Sequence, residues 1–135
     1  EFEGRLFEQN IDVISKIPTD PIRIMADGKL LWRVFENLLN NICKYTQKDT
    51  RVYLSVEKEK DLAVVTFKNI SAYPLDITEE ELLERFVRGD KSRHTEGNGL
   101  GLNIAKSLVE LQNGTMKLVI DGDLFKVILT FPAIE

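Results

Sequence analysis

The chain is poor in the residues that staple or metallate small proteins. It has one cysteine, one histidine, one tryptophan and four prolines in 135 residues. A single cysteine, Cys43, excludes an internal disulfide and a cysteine-based metal site. It also fits a reducing compartment. Basic charge is not in excess: 18 Lys and Arg stand against 22 Asp and Glu, for a net charge of −4. That balance argues against a broad nucleic-acid footprint. No apolar run reaches the length of a membrane-spanning helix, and no signal-peptide pattern opens the chain. Internal repeats and low-complexity tracts are also lacking. The chain opens on Glu1-Phe2-Glu3 without Met, which reads as the start of a fragment of a longer protein.

What is present is an ordinary globular composition, 43% hydrophobic and 30% charged. The length predicts one domain over residues 1–135, able to bury roughly two-thirds of its unfolded surface. Glu1 to Gln9 is short, charged and ambiguous, and could be the tail of a helix. Ile11 to Ile17 alternates apolar and polar residues, as a half-buried strand does. A second short strand follows at Ile22 to Met25. Asp27 reads as an N-cap, and Gly28 to Tyr45 as a long helix. Arg51 to Glu57 and Leu62 to Lys68 alternate strongly and predict a hairpin. Thr78, followed by Glu79, Glu80 and Glu81, opens a short helix to Phe86. Val87 to Asn98 is polar, basic and glycine-punctuated, and is expected to be a mobile loop. Gly99 to Gln112 reads as a helix ended by Asn113-Gly114. Thr115 to Ile120 and Leu124 to Phe131 close the chain as a second hairpin around Asp121-Gly122-Asp123.

Two segments point to chemistry. The run Gly97-Asn98-Gly99-Leu100-Gly101-Leu102 places glycines at alternate positions directly before an apolar-periodic segment. Backbone amides there are uncovered by side chains, and a helix start adds its positive dipole end, so the run suits a phosphate. The second segment is the long helix. On a helical wheel Leu31, Val34, Phe35, Leu38 and Ile42 share one apolar face. Asn37, Asn41 and Lys44 line an adjacent stripe with Tyr45 at its edge. Asn37 and Asn41 are one turn apart, so their amides project together. An Asn carbonyl oxygen is a hard neutral ligand suited to Mg²⁺, and Lys44 supplies positive charge for a phosphate. On the residues alone, the stripe reads equally as a solvated polar face.

Taken together, these residues resemble a known family. Asn37…Asn41…Lys44-Tyr45 is similar to the N box of sensor histidine kinases, and Gly97-x-Gly99-Leu100-Gly101-Leu102 resembles their second glycine box. Glu84-Arg85-Phe86-Val87-Arg88-Gly89-Asp90-Lys91-Ser92-Arg93 resembles their F box and the start of the ATP lid. The motifs stand in the family's order from about Ile11 to Phe131, which is more specific than any one of them. The resemblance implies the catalytic, ATP-binding domain of the Bergerat fold, shared with DNA gyrase and heat-shock chaperone ATPases. Its fold class is α/β, an α+β two-layer sandwich. The implied sheet is mixed, of about five strands, covered on one face by about three helices, with a flexible ATP lid.

The resemblance also implies residue roles and cofactors, ATP and Mg²⁺. Asn41 matches the principal metal ligand and Asn37 its helical partner. Lys44 matches a phosphate contact, Tyr45 a ring near the nucleotide, and Arg88 a lid arginine that reaches the terminal phosphates. Gly97, Gly99 and Gly101, with the Leu100 and Leu102 amides, match the phosphate-facing backbone. Lys91 and Arg93 have a weaker claim than solvated loop charges. His94, the only histidine, lies in the lid segment with no acidic residue placed beside it on a helix, and so is not expected to be a phosphoacceptor. Cys43 projects away from the asparagine stripe, and Trp32 falls on the polar side of the helix.

One region departs from the family. Its first glycine box normally reads Asp-x-Gly-x-Gly, with the Asp accepting from the adenine amino group. Here Asn69 stands in the place of Asp, and Ser71 and Tyr73 replace both glycines. Asn can still accept through its carbonyl oxygen, without the charge assistance of a carboxylate.

The resemblance implies transfer of the γ-phosphoryl group of ATP to a histidine on a separate dimerisation and phosphoacceptor domain outside this chain. A response regulator is the further partner, and nucleic acid is not one. The fragment itself is expected to be monomeric and the full-length kinase a homodimer. The expected setting is the cytoplasmic part of a membrane-anchored sensor kinase. Two alternatives stand beside this: a degenerate nucleotide-binding or scaffold module without phosphotransfer, and an anti-sigma-factor-type serine kinase of the same fold.

Overall fold

The computed structural model describes residues 2–73, 78 and 98–134. In chain order the elements are α1 (Phe2–Glu8), β1 (Asp12–Lys16), β2 (Arg23–Ile24), α2 (Gly28–Tyr45), β3 (Arg51–Glu59), β4 (Leu62–Ile70), α3 (Asn98–Leu111), β5 (Thr115–Asp121) and β6 (Leu124–Ile134). The expected helix from Thr78 to Phe86 and the lid loop lie outside the described residues, apart from Thr78 and Asn98. Asn98 belongs to α3, one residue earlier than the sequence suggests.

The strands form one mixed sheet of six, with helices on one face. This is the two-layer α/β arrangement expected. The strand order is β1-β3-β4-β6, with β5 and β2 both on the far side of β6. β1 runs parallel to β3, Asp12 facing Arg51 and Lys16 facing Ser55. A parallel neighbour needs a crossover, and β2 with α2 supplies it. The remaining pairs are antiparallel. Both hairpins are longer than their hydrophobic alternation. β3 and β4 pair out to Glu59 and Leu62, and β6 continues past Pro132 to hold β2 at Ala133 and Ile134.

Period two on the strands and period 3.6 on the helices converge on one core. Val34, Leu38 and Ile42 of α2 and Leu102, Ala105 and Val109 of α3 are buried. They cluster with Val52, Phe67, Met116, Leu118, Val127, Leu129 and Phe131 of the sheet. Phe35 and Phe67 join the layers with ring centroids 5.9 Å apart in a tilted contact, a favoured aromatic geometry. α1 is held to α2 by the buried Leu6, by Arg5 Nη1 donating to Asn40 Oδ1 at 3.0 Å and by Gln9 Nε2 donating to the Cys43 carbonyl at 3.2 Å.

α3 ends at Leu111, and two residues on Asn113 takes a φ of 66°, the left-handed value that stops a helix. Gly114 then passes so close to β6 that a Cβ would sit 2.7 Å from the Phe131 ring and from the Thr130 carbonyl oxygen. The next residue is already β5, so this glycine lets the sheet pack directly under the helix end. Thr115 and Thr130 hydroxyls meet across the start of that strand pair.

Candidate functional site

The site is built on α2, and both ends of that helix are fixed by side chains. At its start Asp27 Oδ1 accepts from the amides of Lys29 at 2.9 Å and Leu30 at 3.2 Å, as an N-cap should. The Asp27 amide itself donates to Gln112 Oε1 at 2.8 Å. Gln112 Nε2 in turn donates to the Leu108 carbonyl at 2.9 Å. Gln112 is buried, so one residue beyond α3 clips the beginning of α2. At the far end the Thr46 amide closes on the Ile42 carbonyl at 3.1 Å.

Between these anchors lies the stripe. Asn37 and Asn41 are half-buried, Lys44 is exposed and Tyr45 half-buried. The Asn41 Nδ2 is buried and has no hydrogen-bond partner among the described residues. A buried amide nitrogen in that state costs about 1–3 kcal/mol until something accepts from it. Cys43 is buried in the core, away from the stripe, and Trp32 is exposed, as read from the wheel.

The end of β4 is stitched to the end of α2. Gln47 N donates to the Ile70 carbonyl and Ala72 N to the Tyr45 carbonyl, both at 2.8 Å, and Thr46 bridges Ser71. Ser71 N is also tied to the Asp123 carbonyl at 2.8 Å. These bonds bring Asn69 beside the C-terminal turn of the asparagine helix. Asn69 Nδ2 donates to Thr46 Oγ1 at 2.9 Å, with Asn69 4% and Thr46 3% exposed.

The departure from the glycine box has a local explanation. Among the described residues the positive-φ residues other than glycine are Asn10, Asp49, Lys60 and Asn113, and none lies between Asn69 and Tyr73. The turn here therefore needs no glycine conformation. Ser71 Oγ accepts from Tyr73 N at 3.2 Å and closes the turn itself.

The second glycine segment is divided. Arg88 and Gly97 lie outside the described residues. Gly99, Leu100 and Gly101 form the first turn of α3, where helix amides lack intrahelical acceptors. Leu102 is 2% exposed and belongs to the core, which leaves only its backbone to face a ligand. Among the described residues no group of three or more His, Cys, Asp or Glu could hold a metal. Sequence reasoning missed Thr46 and Gln112. Thr46 reads only as the first residue of a polar turn, and Gln112 as the last residue of a helix. Both act through partners distant in sequence, which no local pattern announces.

A helix carrying two asparagines one turn apart thus lies over a mixed six-stranded sheet in a two-layer sandwich. The sequence profile of the histidine kinase-, DNA gyrase B- and HSP90-like ATPases matches residues 26–134, and the chain belongs to that family. It aligns with sensor histidine kinases in sequence and in structure. It is 38% identical over 96 residues to the sensor histidine kinase HprS of Escherichia coli K12, covering 69% of this chain and 20% of HprS. With the sensor protein GtcS of Aneurinibacillus migulanus it shares 37% identity over 97 residues, covering 71% of this chain and 26% of GtcS. The chain thus matches a fifth to a quarter of these relatives. The nucleotide-free catalytic domain of histidine kinase ThkA superposes with a TM-score of 0.78 at 24% identity, over 97% of this chain and 84% of that one. Full-length ShkA in complex with AMPPNP gives 0.74 at 20% identity, over 96% of this chain and 27% of that one.

Proposed function

We propose that this domain binds Mg-ATP and donates the γ-phosphoryl group to a histidine on a separate dimerisation and phosphoacceptor domain. The observation that carries the reading is the polar stripe along α2, where the buried Asn41 amide nitrogen has no partner among the described residues, together with the Asn69–Thr46 pair beside the end of that helix. One end of this stripe offers polar groups in need of a ligand. The other offers a fixed amide for a base. The donor set fits Mg²⁺: two neutral asparagine carbonyl oxygens on adjacent turns leave room for phosphate oxygens and waters in the shell.

Asn41 and Asn37 would hold the metal, which when bound neutralises charge on the transferring phosphates. Lys44 adds positive charge at the end of the stripe. The first-turn amides of Gly99, Leu100 and Gly101 orient toward anions as helix N-termini do, and Gly97 and Arg88 complete the phosphate side of this reading. Tyr45 lies against the nucleotide, and Asn69 accepts from the adenine amino group. Phosphoryl transfer asks mainly for positioning and charge stabilisation, which these groups supply. The chain's own histidine, His94, is not the acceptor in this reading. A response regulator receives the phosphoryl group downstream, the full-length kinase is a homodimer, and nucleic acid has no part. The domain works on the cytoplasmic side of a membrane-anchored sensor chain. No helix among the described residues is long and apolar enough to cross a membrane itself.

Calorimetric titration of ATP in Mg²⁺ and in chelator tests the binding step. Binding that strengthens with Mg²⁺ is expected; no binding of ATP in either condition would sink the reading. Incubation with labelled ATP and Mg²⁺ is expected to leave the domain unlabelled. Acid-labile phosphate on His94 would contradict the assigned acceptor. The second reading, a nucleotide sensor without phosphotransfer, draws on the loss of both glycines at Ser71 and Tyr73. The closed Ser71–Tyr73 turn weighs against it, because the backbone there is intact without them.

A further inference from the structure

Helices cover one face of the sheet, and side chains alternate across each strand, so the residues between the core positions stand on the other face. Strand register sets them in rows. In one row Tyr53, Lys68 and Lys126 lie side by side on β3, β4 and β6. In the next, Lys16 of β1 and Lys117 of β5 are the two ends, with Ser55, Thr66 and Ile128 between them. No acidic residue stands in either row. Asp12, opposite Arg51, and Asp121 flank the band on one side, and Glu57 flanks it on the other. Lys68 faces Lys126 directly on the two interior strands, and like charges directly opposite each other destabilise a strand pair. Lys68 Nζ lies 4.9 Å from the centroid of the Tyr53 ring, a contact that leaves its charge in place. Among the described residues none of the four lysines has a carboxylate partner; the ion pair there is Lys106 with Glu110 on α3. The centre of the sheet thus carries a repulsion that the domain does not neutralise.

The rest of the chain is acidic. Without these four lysines, 14 of the 18 Lys and Arg remain against 22 Asp and Glu. A narrow basic band bordered by acids suits a narrow acidic partner. A broad anionic membrane surface would meet the flanking Asp12, Asp121 and Glu57 as well. Opposed residues on neighbouring strands are about 5 Å apart, and carboxylates one turn apart on a helix are separated by about 5–6 Å. From β1 to β5 the band spans about 20 Å, the length of roughly 13 helical residues. We propose that this open face of the sheet is a docking surface for an acidic helical segment of a partner polypeptide, whose carboxylates neutralise the facing pair Lys68 and Lys126 while its aliphatic side chains cover Tyr53 and Ile128. The surface lies on the opposite side of the sheet from α2 and α3, so it is separate from the asparagine stripe.

The test uses the 135-residue chain and a fluorescein-labelled helical peptide about 15 residues long, with Glu at four-residue spacing and Leu beside it. A second peptide has Gln for every Glu. Fluorescence anisotropy is expected to show binding of the Glu peptide that weakens steeply with added salt, and little binding of the Gln peptide. Lys126→Glu places opposite charges on β4 and β6. It is expected to weaken peptide binding about five- to tenfold and at the same time to raise the thermal midpoint of the free chain by about 1–4 °C. Lys68→Gln, which removes the repulsion without adding an acid, should change both readouts in the same directions by less. Unchanged peptide affinity in folded Lys126→Glu or Lys68→Gln overturns the proposal, as does equal binding of the two peptides. A lowered midpoint in both variants would mean that the facing lysines support the sheet, and would also overturn it. Vesicles of phosphatidylserine and phosphatidylcholine are the remaining probe. Binding to them that Lys126→Glu abolishes, with no binding of the Glu peptide, would make the face a membrane contact and overturn the polypeptide assignment.

Discussion

The two ends of the α2 stripe are built in opposite ways. At the β4 end, Asn69 and Thr46 satisfy each other in a buried contact flanked by main-chain bonds. One turn from the end of α2, the Asn41 amide nitrogen is buried with no partner among the described residues. The first arrangement contributes to folding, because each buried group satisfies the other. The second is a local destabilisation, held in place by the surrounding fold, that a ligand can relieve. Stability and function therefore coincide at one end and oppose each other at the other, as strained or unsatisfied groups at functional sites commonly do.

The largest effect expected from breaking this contrast is at Asn41. Asn41→Leu should weaken Mg-ATP binding by about 1–3 kcal/mol, roughly 5- to 150-fold, while urea denaturation of the free protein shows no loss of stability. Calorimetry and denaturation on the same sample check both halves. A stability loss equal to the binding loss would mean that Asn41 is an ordinary structural amide. At the other end Asn69→Leu should lower both quantities together. It strands the Thr46 hydroxyl in a buried place, at a cost of about 1–2 kcal/mol in unfolding free energy. Unchanged stability would show that the Asn69–Thr46 bond has no net worth. The smallest effect is expected at the start of the helix. Asp27→Ala removes the cap and should cost about 1 kcal/mol of stability, with the preference among nucleotides unaltered. A changed preference would show that the N-terminal anchor also sets the geometry near Asn69.

Much of the fold was legible because its signals are local. The bounds of α2 follow from an N-cap aspartate and an apolar period, and the helix runs from Gly28 to Tyr45 as read. The residues of the stripe were legible too, since one turn of helix brings Asn37 and Asn41 together whatever the rest of the chain does. Less legible were strand ends. The charged residues Lys58 and Glu59 read as the connection after the strand, yet they pair with β4 because side chains facing solvent do not disturb the ladder. The turn beyond uses Lys60 at a φ of 56°, where the sequence offers no glycine. α1 was ambiguous in sequence because its hold on the domain comes from α2, through Arg5 and Gln9. Partners in the site were the least legible. Asn69 with Thr46, and Gln112 with Asp27, join residues 23 and 85 positions apart, and nothing in a local window marks them.

The anchoring of the chain on both sides of the stretch between Tyr73 and Asn98 has a consequence for how such domains can diverge. Before it, Ser71 and Ala72 are bonded to Asp123 and Tyr45. After it, Leu102 and Ala105 lock α3 into the core. Once both ends of a connection are fixed, the entropy of closing it grows only with the logarithm of its length, and each doubling costs about 0.6 kcal/mol. Inside the sheet the cost of a length change is of another kind, since one extra residue would turn every side chain of a strand to the wrong face. The anchors on either side are made by β4, α2 and α3 themselves, so the number of residues between them does not enter the register of the strands.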